Sequence, residues 1–145
     1  MPKVKPGSTR TYDKEGYRLR AAAICVRDPN ENEVLLVSST IDSDKWVMPG
    51  GGVEPWEDPE SAALREAYEE AGIRGHVIGR HGIVEDASRR ERTWVFSLGV
   101  VQLLNTWPES ERLGRKRKWF DLDDARNCLA LYKPFQVKCL EAMLR

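Results

Sequence analysis

Residues 49–73 read PGGGVEPWEDPESAALREAYEEAGI, and the rest of the chain is organised around this segment. Asp58 suits the N-cap position of a helix, because its carboxylate can accept hydrogen bonds from the first free amides. A proline follows at the first helical position, and Gly72 suits the left-handed turn that ends many helices. The pattern therefore predicts a helix over 59–71, preceded by a glycine-rich turn at 50–52.

The predicted helix has two unlike faces. With 100° between successive residues, an apolar stripe is formed by Leu64, Ala67, Tyr68 and Ala71. Glu66, Glu69 and Glu70 are predicted on the opposite side. Carboxylates three or four residues apart repel each other, at roughly 0.2–0.5 kcal/mol per pair, so this arrangement does not favour the helix itself.

A divalent cation would turn this repulsion into binding, because Mg²⁺ takes oxygen ligands that commonly include one or two carboxylates. Glu66 and Glu70, one turn apart, are the natural pair, and backbone carbonyls of the glycine-rich turn can complete the site. Glu69 lies beside Arg65, which can orient it as a base toward the attacking water. The alternative is an ordinary solvated helix face, which is the commoner meaning of an isolated Arg-Glu-x-x-Glu-Glu motif.

The spacing of the fixed residues is more specific than the helix alone. Gly51 and Glu57 are separated by five residues, and REAYEEAGI follows after seven more. This pattern over 51–73 resembles the Nudix box of the Nudix hydrolases, except at Ala67, where the family usually has a larger aliphatic residue. The resemblance implies a single Nudix domain over 1–145, an α/β/α sandwich with a mixed sheet, and hydrolysis of a phosphoanhydride.

Segments outside the box are similar to a narrower group, the diphosphoinositol polyphosphate phosphohydrolases. They are TRTYDKEGYRLRAA (9–22), EVLLVSS (33–39), PGGGVEP (49–55), GRKRKWF (114–120) and YKP (132–134). This resemblance implies a polyanionic small-molecule substrate, a diphosphoinositol polyphosphate, and Mg²⁺ or Mn²⁺ as cofactor. Diadenosine polyphosphates, inorganic polyphosphate and capped RNA are secondary candidates.

The resemblance also implies which residues form the site. The metal would be held by the carbonyl of Gly50 and by Glu66 and Glu70, with Glu69 as the base. Substrate phosphates would be contacted by Arg10, Arg18, Leu19, Arg20, Ser39, Thr40, Ile41, Arg89, Arg90, Glu91, Arg115 and Lys133. Two of these depart from the family pattern: relatives commonly have arginine in place of Ile41, and a basic residue or histidine in place of Glu91.

The charge distribution independently predicts an anionic ligand. The 145 residues include 23 Lys and Arg against 23 Asp and Glu, so the net charge is zero. The basic residues nevertheless concentrate in three clusters, within 3–20, 89–92 and 112–118. Three basic clusters around one acidic motif indicate a ligand gripped on several sides. The balanced total disfavours a nucleic-acid-binding domain.

Two other functions stay open. A dinucleoside polyphosphate hydrolase would need aromatic surfaces to stack adenine, and the candidates are Trp46, Trp56, Trp94, Trp107 and Trp119. Trp46, Trp94 and Trp119 lie in strand patterns that predict core positions instead. A catalytically inactive module that binds phosphorylated ligands is disfavoured, because it would not need all three glutamates of the helix.

Strands are predicted at 19–26, 34–37, 46–48, 76–84, 93–104 and 118–122. A turn at 28–30 separates the first two strands, and a polar turn at 85–92 predicts a hairpin. After the last strand, Asp123 or Asp124 is predicted to cap a short helix through Leu129, and a closing helix is predicted at 135–144.

Cys25, Cys128 and Cys139 are odd in number and lack the spacing of a metal site, which predicts free thiols. His76 and His81 also lack a ligand pattern, and we expect both to be structural. No apolar run approaches the roughly 18 residues of a transmembrane segment. We expect a soluble, cytoplasmic protein without a membrane partner, with the nucleus as a second possible location. The oligomeric state does not follow from the sequence.

Overall fold

A mixed sheet of seven strands forms the middle layer of the computed structural model, which describes residues 7–27 and 32–145. The strands are β1 Arg18–Val26, β2 Glu33–Ser38, β3 Trp46–Val47, β4 Gly50–Gly52, β5 Ile73–Asp86, β6 Glu91–Leu103 and β7 Arg117–Asp121. Four helices cover the sheet: α1 Pro59–Ala71, α2 Pro108–Leu113, α3 Leu122–Tyr132 and α4 Pro134–Leu144. The predicted turn at 28–30 and the basic residues Lys3 and Lys5 lie outside the described residues.

Two strands share one edge of β1, so the hydrogen-bonded path of the sheet divides there. The main path is β3-β2-β1-β6-β5, in which only the β1–β6 pair is parallel among the described strands. β6 occupies one edge of β1, while β2 and β4 share the other edge. β2 pairs with the end of β1 at Cys25 and Val26, and β4 pairs with its beginning at 20–22. Strand β4, which consists of three glycines and is called the glycine strand below, therefore lies beside the charged beginning of β1.

Side chains alternate across β1 and so build two cores. Ala21, Ala23 and Cys25 pack toward α1, whereas Ala22 and Ile24 pack toward α3 and α4. Helices on both faces of a mixed sheet confirm the predicted α/β/α sandwich.

The first helix begins and ends where the sequence predicts. The carboxylate of Asp58 accepts a hydrogen bond from the Ser61 amide at 2.7 Å. At the other end, Gly72 has a left-handed φ of 64°, and its N–H donates to the Tyr68 carbonyl at 3.0 Å. The predicted helix over 59–71 is therefore confirmed.

The prediction of its faces is confirmed for Ala67 and Ala71, which are buried, and for Leu64, which packs against the same core, but it was wrong for Tyr68 and for two of the glutamates. Glu66 and Glu70 are only 2% and 5% exposed, whereas Tyr68 is 39% exposed. The buried face also includes Ala62 and Ala63, which the predicted stripe omitted. Small alanines let the helix lie close to the sheet, so two glutamates at the edge of this face are buried against the glycine strand.

Other elements differ in their limits. The predicted glycine turn is strand β4. Helix α3 begins at Leu122, because the Asp121 carboxylate accepts a hydrogen bond from the Asp124 amide at 2.8 Å, and it continues to Tyr132. Neither Asp123 nor Asp124 is the cap. Helix α2 was not predicted.

The thiols and histidines lie in ordinary structural surroundings. All three cysteines are free, and burial raises the pKa of Cys25 and Cys139 to about 12. His81 Nε2 lies 2.8 Å from Ser97 Oγ, and His76 is exposed. Among the described residues, no helix is long and apolar enough to cross a membrane.

Candidate active site

A cleft of about 650 Å³ opens between the glycine strand, α1 and the junction of α3 with α4. The α1 side of the cleft presents the carboxylates of Glu66, Glu69 and Glu70. Arg65 lies on the same helix, and the other walls carry Arg18, Arg20, Arg89 and Arg115. The fold thus brings the acidic helix and parts of all three basic clusters to one concave surface.

Arg65 connects the helix to the loop before it. Its Nη2 lies 2.6 Å from Glu57 Oε1, and it also donates to the Gly52 carbonyl at 3.0 Å. Its Nη1 donates to Glu69 Oε1 at 3.3 Å, so the predicted pairing of Arg65 with Glu69 is confirmed. The hydrogen bonds to Glu57 raise the pKa of Arg65 above its ordinary value. The same Glu57 oxygen accepts the Glu54 amide at 3.0 Å, which fixes the loop as well.

Glu66 lies directly under the glycine strand. A Cβ atom added to Gly51 would lie 2.7 Å from Glu66 Cδ and would overlap Oε2. Only glycine lets the strand approach the buried carboxylate this closely. Arg65 Nη1 lies 3.6 Å from Glu66 Oε2 and provides part of the charge that burial requires.

Glu70 is held by the next residue of the same strand. The Gly50 N–H donates to Glu70 Oε1 at 3.0 Å, and Arg115 Nη2 lies 3.3 Å from that oxygen. The Arg115 side chain is only 7% exposed, and its Nε lies 3.5 Å from Oε1 of the buried Glu109 on α2. A short chain of alternating charges therefore runs from α2 through Arg115 to the acidic helix.

The donor chemistry of this region fits a hard divalent cation, since carboxylate and backbone oxygens line one side of the cleft. In the part of the chain that the structure describes, no three His, Cys, Asp or Glu side chains are gathered closely enough to hold an ion. The reason is visible in the contacts: Arg65 holds Glu66 and Glu69, while Arg115 and Gly50 hold Glu70. Glu66, Glu70 and the backbone of Gly50 are the oxygen donors of this cleft that would hold such a cation.

The arginines on the opposite wall crowd together. Burial, together with repulsion from Arg20 and Arg10, lowers the pKa of Arg18. Glu91 lies among them, with its oxygens 3.7 Å from Arg18 Nη1, 3.6 Å from Arg20 Nη1 and 3.8 Å from Arg89 Nε.

Residues from a third side complete the cleft. Ser39, Thr40, Ile41 and Lys133 all line it, as the resemblance led us to expect of substrate contacts. Ser39 Oγ lies 3.0 Å from Tyr132 OH and accepts the Ile41 amide at 3.2 Å. The Ile41 side chain is 79% exposed, so nothing in the fold requires an apolar residue there.

Three of the predicted substrate contacts, Arg10, Leu19 and Arg90, are not among the described residues that line the cleft. Arg90 Nη2 donates to the Glu15 carbonyl at 2.6 Å, and its guanidinium lies 4.9 Å from the Tyr17 ring centroid.

The Leu19 side chain packs against the α1 core, and its N–H donates to the Thr11 carbonyl at 2.9 Å. Arg10 lies close enough to Arg18 to depress its pKa. A role for these three residues in substrate binding stays a prediction.

Sequence reasoning missed the residues that fix the end of α1. Trp107 Nε1 donates to the Glu70 carbonyl at 2.8 Å, and Arg117 Nη1 donates to the Ala71 carbonyl at 2.8 Å. The Arg117 guanidinium also lies 4.1 Å from the Trp107 ring centroid. The available signal was Pro108, which suits the first position of a helix and would have indicated α2.

Comparison with known proteins assigns the class. A model of the NUDIX domain matches residues 17–142, and the chain belongs to the Nudix hydrolase family. The NUDIX hydrolase of Nitrosomonas europaea has a similar fold, with a TM-score of 0.66 at 25% identity over 88% of both chains. The Escherichia coli ORF135 protein also shares the fold, with a TM-score of 0.62 at 24% identity.

Two relatives are more similar in sequence. Human diphosphoinositol polyphosphate phosphohydrolase 2 is 48% identical over 143 residues, which cover 99% of this chain and 79% of the relative. Mouse diphosphoinositol polyphosphate phosphohydrolase 3-alpha is 49% identical over 142 residues, which cover 97% and 87%. The predicted resemblance to this group of Nudix hydrolases is confirmed.

Proposed function

We propose that this chain, acting as a single Nudix domain over 1–145, hydrolyses the diphosphate of diphosphoinositol polyphosphates to inositol polyphosphate and orthophosphate. The observation that supports it most is the meeting of arginines from three sequence clusters with the glutamates of α1 in one cleft. The names of the relatives point to the same substrate.

The arginine walls suit a substrate with many phosphates in a small volume. Guanidinium groups bind phosphate oxygens in a bidentate way that lysine cannot match. Arg18 and Arg20 project from β1, and Arg89 projects from the β5–β6 turn, so they can bind different phosphates of one ring. Arg115 and Lys133 provide cations on the remaining sides.

The residues of α1 can provide the proton transfer. Arg65 holds Glu69 at 3.3 Å, and the Glu69 side chain keeps 30% of its surface exposed at the cleft. Glu69 can therefore take the proton of the attacking water while Arg65 keeps its carboxylate oriented. Glu66, Glu70 and the Gly50 carbonyl would hold Mg²⁺ or Mn²⁺. When bound, the cation would neutralise charge on the diphosphate and lower the pKa of the attacking water.

A second candidate substrate is a dinucleoside polyphosphate, which Trp56 specifically favours. This tryptophan lines the cleft and is 70% exposed, whereas Trp46, Trp94 and Trp119 pack against the cores as predicted. An exposed indole beside phosphate-binding arginines can stack on a nucleobase. Inorganic polyphosphate and capped RNA would use the same basic walls.

Parallel assays of phosphate release would test the proposal. Diphosphoinositol polyphosphate, diadenosine polyphosphate and inorganic polyphosphate should each be supplied with Mg²⁺ and with Mn²⁺. We expect the highest kcat/KM for the diphosphoinositol compound. A higher value for the diadenosine compound would favour the second candidate.

Glu69→Gln should keep substrate affinity but lose roughly 10²- to 10⁴-fold in kcat, the usual contribution of a general base. Glu60→Gln, which changes a carboxylate of the same helix outside the cleft, is the matched control and should keep full activity. Near-normal turnover in Glu69→Gln would place the base elsewhere. Binding without turnover in the wild-type protein, with either metal, would instead indicate an inactive phospho-ligand module.

A further inference from the structure

Glu91 is an anion placed among the cations of the cleft. It lies at the start of β6 and is only 9% exposed, yet its side chain borders the cleft. Arg18, Arg20 and Arg89 surround it at 3.6–3.8 Å. A polyanionic ligand bound by these three arginines would therefore also meet one fixed negative charge.

The Glu91 carboxylate partly neutralises the charge of the three arginines but does not accept a hydrogen bond from them. All three distances exceed hydrogen-bonding length. The buried Nε atoms of Arg18 and Arg20 have no hydrogen-bond partner among the described residues. The side chains of Arg18 and Arg20 keep 17% and 31% of their surface exposed, so phosphate oxygens can approach the exposed part of each, while the attraction that the arginines exert is reduced by the nearby carboxylate.

We propose that Glu91 is a specificity-determining residue that limits the affinity of the cleft for densely phosphorylated ligands, an inference that rests on the proposed function. Its charge repels each phosphate that approaches Arg18, Arg20 or Arg89, and the repulsion grows with the number of charges brought close. A ligand with few phosphates is affected less.

The consequence concerns release of the product. Hydrolysis removes one phosphate and leaves a ring that carries most of the charge that bound the substrate. Walls made only of arginine would hold that product tightly, and release of product limits many enzymes. A carboxylate at position 91 weakens binding of the product while leaving the donors that orient the substrate in place.

Equilibrium binding would test this role. Calorimetry in EDTA, so that only the residues of the chain contribute, should compare inositol hexakisphosphate with inorganic pyrophosphate as probes. In Glu91→Gln the Kd for the hexakisphosphate should fall about tenfold, and that for pyrophosphate about two- to threefold, because one fixed charge is removed. Glu60→Gln is the control, since its ion pair with Arg80 at 2.7 Å lies outside the cleft, and both Kd values should stay unchanged.

An unchanged or raised Kd for the hexakisphosphate in Glu91→Gln would overturn the proposal, because the carboxylate would then only position the arginines. Glu91→Ser removes the same charge with less bulk and must change affinity in the same direction, so it decides the question if Glu91→Gln fails to fold in a thermal unfolding assay. A wild-type protein that binds pyrophosphate but not the hexakisphosphate would refute the proposed substrate. The role of Glu91 would then be decided by whether Glu91→Gln binds pyrophosphate more tightly.

Discussion

Gly51→Ala tests whether the close approach of the glycine strand to Glu66 sets the activity. The new Cβ would lie 2.7 Å from Glu66 Cδ, compared with an ordinary contact of 3.4 Å. The carboxylate must therefore move by about 0.7 Å or more, away from the position in which Arg65 and the glycine strand now hold it. Since a misplacement of 1 Å can cost about 100-fold, we expect kcat to fall roughly 10- to 100-fold.

We expect Gly51→Ala to lower the free energy of unfolding only moderately, so that the loss of activity is not caused by unfolding. Overpacking of a buried site typically costs about 1–3 kcal/mol, so the variant should fold and unfold cooperatively at a lower temperature. If Glu66 helps to hold the metal, the Mg²⁺ concentration for half-maximal rate should also rise. Both quantities follow from phosphate release measured against Mg²⁺ concentration, with thermal unfolding of the same samples.

Gly52→Ala is the matched control on the same strand. Its new Cβ would meet Arg18 Nη2 at 2.7 Å, the far end of a flexible side chain that can move away. We expect a higher KM for the diphosphoinositol substrate and little change in kcat or in the Mg²⁺ dependence. The reasoning is refuted if Gly51→Ala keeps wild-type kcat and Mg²⁺ dependence, or if both variants respond alike.

Three further predictions concern the cap of α1, the thiols and the exposed edge of the cleft. Hydrogen bonds from the amide and hydroxyl of Ser61 lower the pKa of Asp58. The ionised carboxylate therefore stabilises the fold above the usual aspartate pKa of about 3.9. This contribution is lost as the pH falls through the pKa of the folded state. The difference in Tm between wild type and Asp58→Asn should therefore shrink below about pH 4, and a constant difference down to pH 2 would contradict the cap's charge effect. Burial of Cys25 and Cys139 should make both slow toward a thiol reagent at pH 8, while the less buried Cys128 reacts first; rapid reaction of all three in the native protein would show that the cores open readily. Ile41→Arg should lower KM for the diphosphoinositol substrate by adding a phosphate contact worth at most about 1.5–3 kcal/mol, and an unchanged KM at low and moderate salt would remove this position from the site.

The sequence predicted the elements that local chemistry determines. Asp58 and Gly72 mark the ends of α1 because a cap depends on hydrogen bonds within a few residues. The predicted faces of α1 were wrong for Glu66 and Glu70 because the prediction assumed that carboxylates face solvent. Glu66 is buried since its partners, Arg65 and the glycine strand, compensate for desolvation, and that compensation is a property of the folded contact.

The roles of individual basic residues could not be predicted, because they depend on contacts between segments that are distant in the sequence. The basic run at 112–118 looked uniform, but Arg115 faces the cleft while Arg117 fastens the end of α1 to the sheet. Their roles depend on Glu109 and Trp107, which lie on or before a helix of only six residues. Arg117 lies in β7 and Arg115 lies in the segment between α2 and β7, so a cluster of like charges in the sequence is divided between two different sets of partners in the structure.

This division of charges also explains how one cleft can hold opposite charges side by side. Arg65 forms ion pairs with Glu66 and Glu69 of α1 and with Glu57 before the helix. Few of its N–H groups are therefore left to bind a substrate. Arg18 and Arg20 have only distant ion pairs with Glu91 and retain buried donors without a partner among the described residues. Under the proposed function, the arginine with close carboxylate partners orients the glutamates of α1, whereas the arginines with only distant partners are the ones expected to bind phosphate. Arg18 and Arg20 keep 17% and 31% of their side-chain surface exposed, so under the proposed function the affinity for a phosphate ligand should depend more on these two residues than on the net charge of the chain.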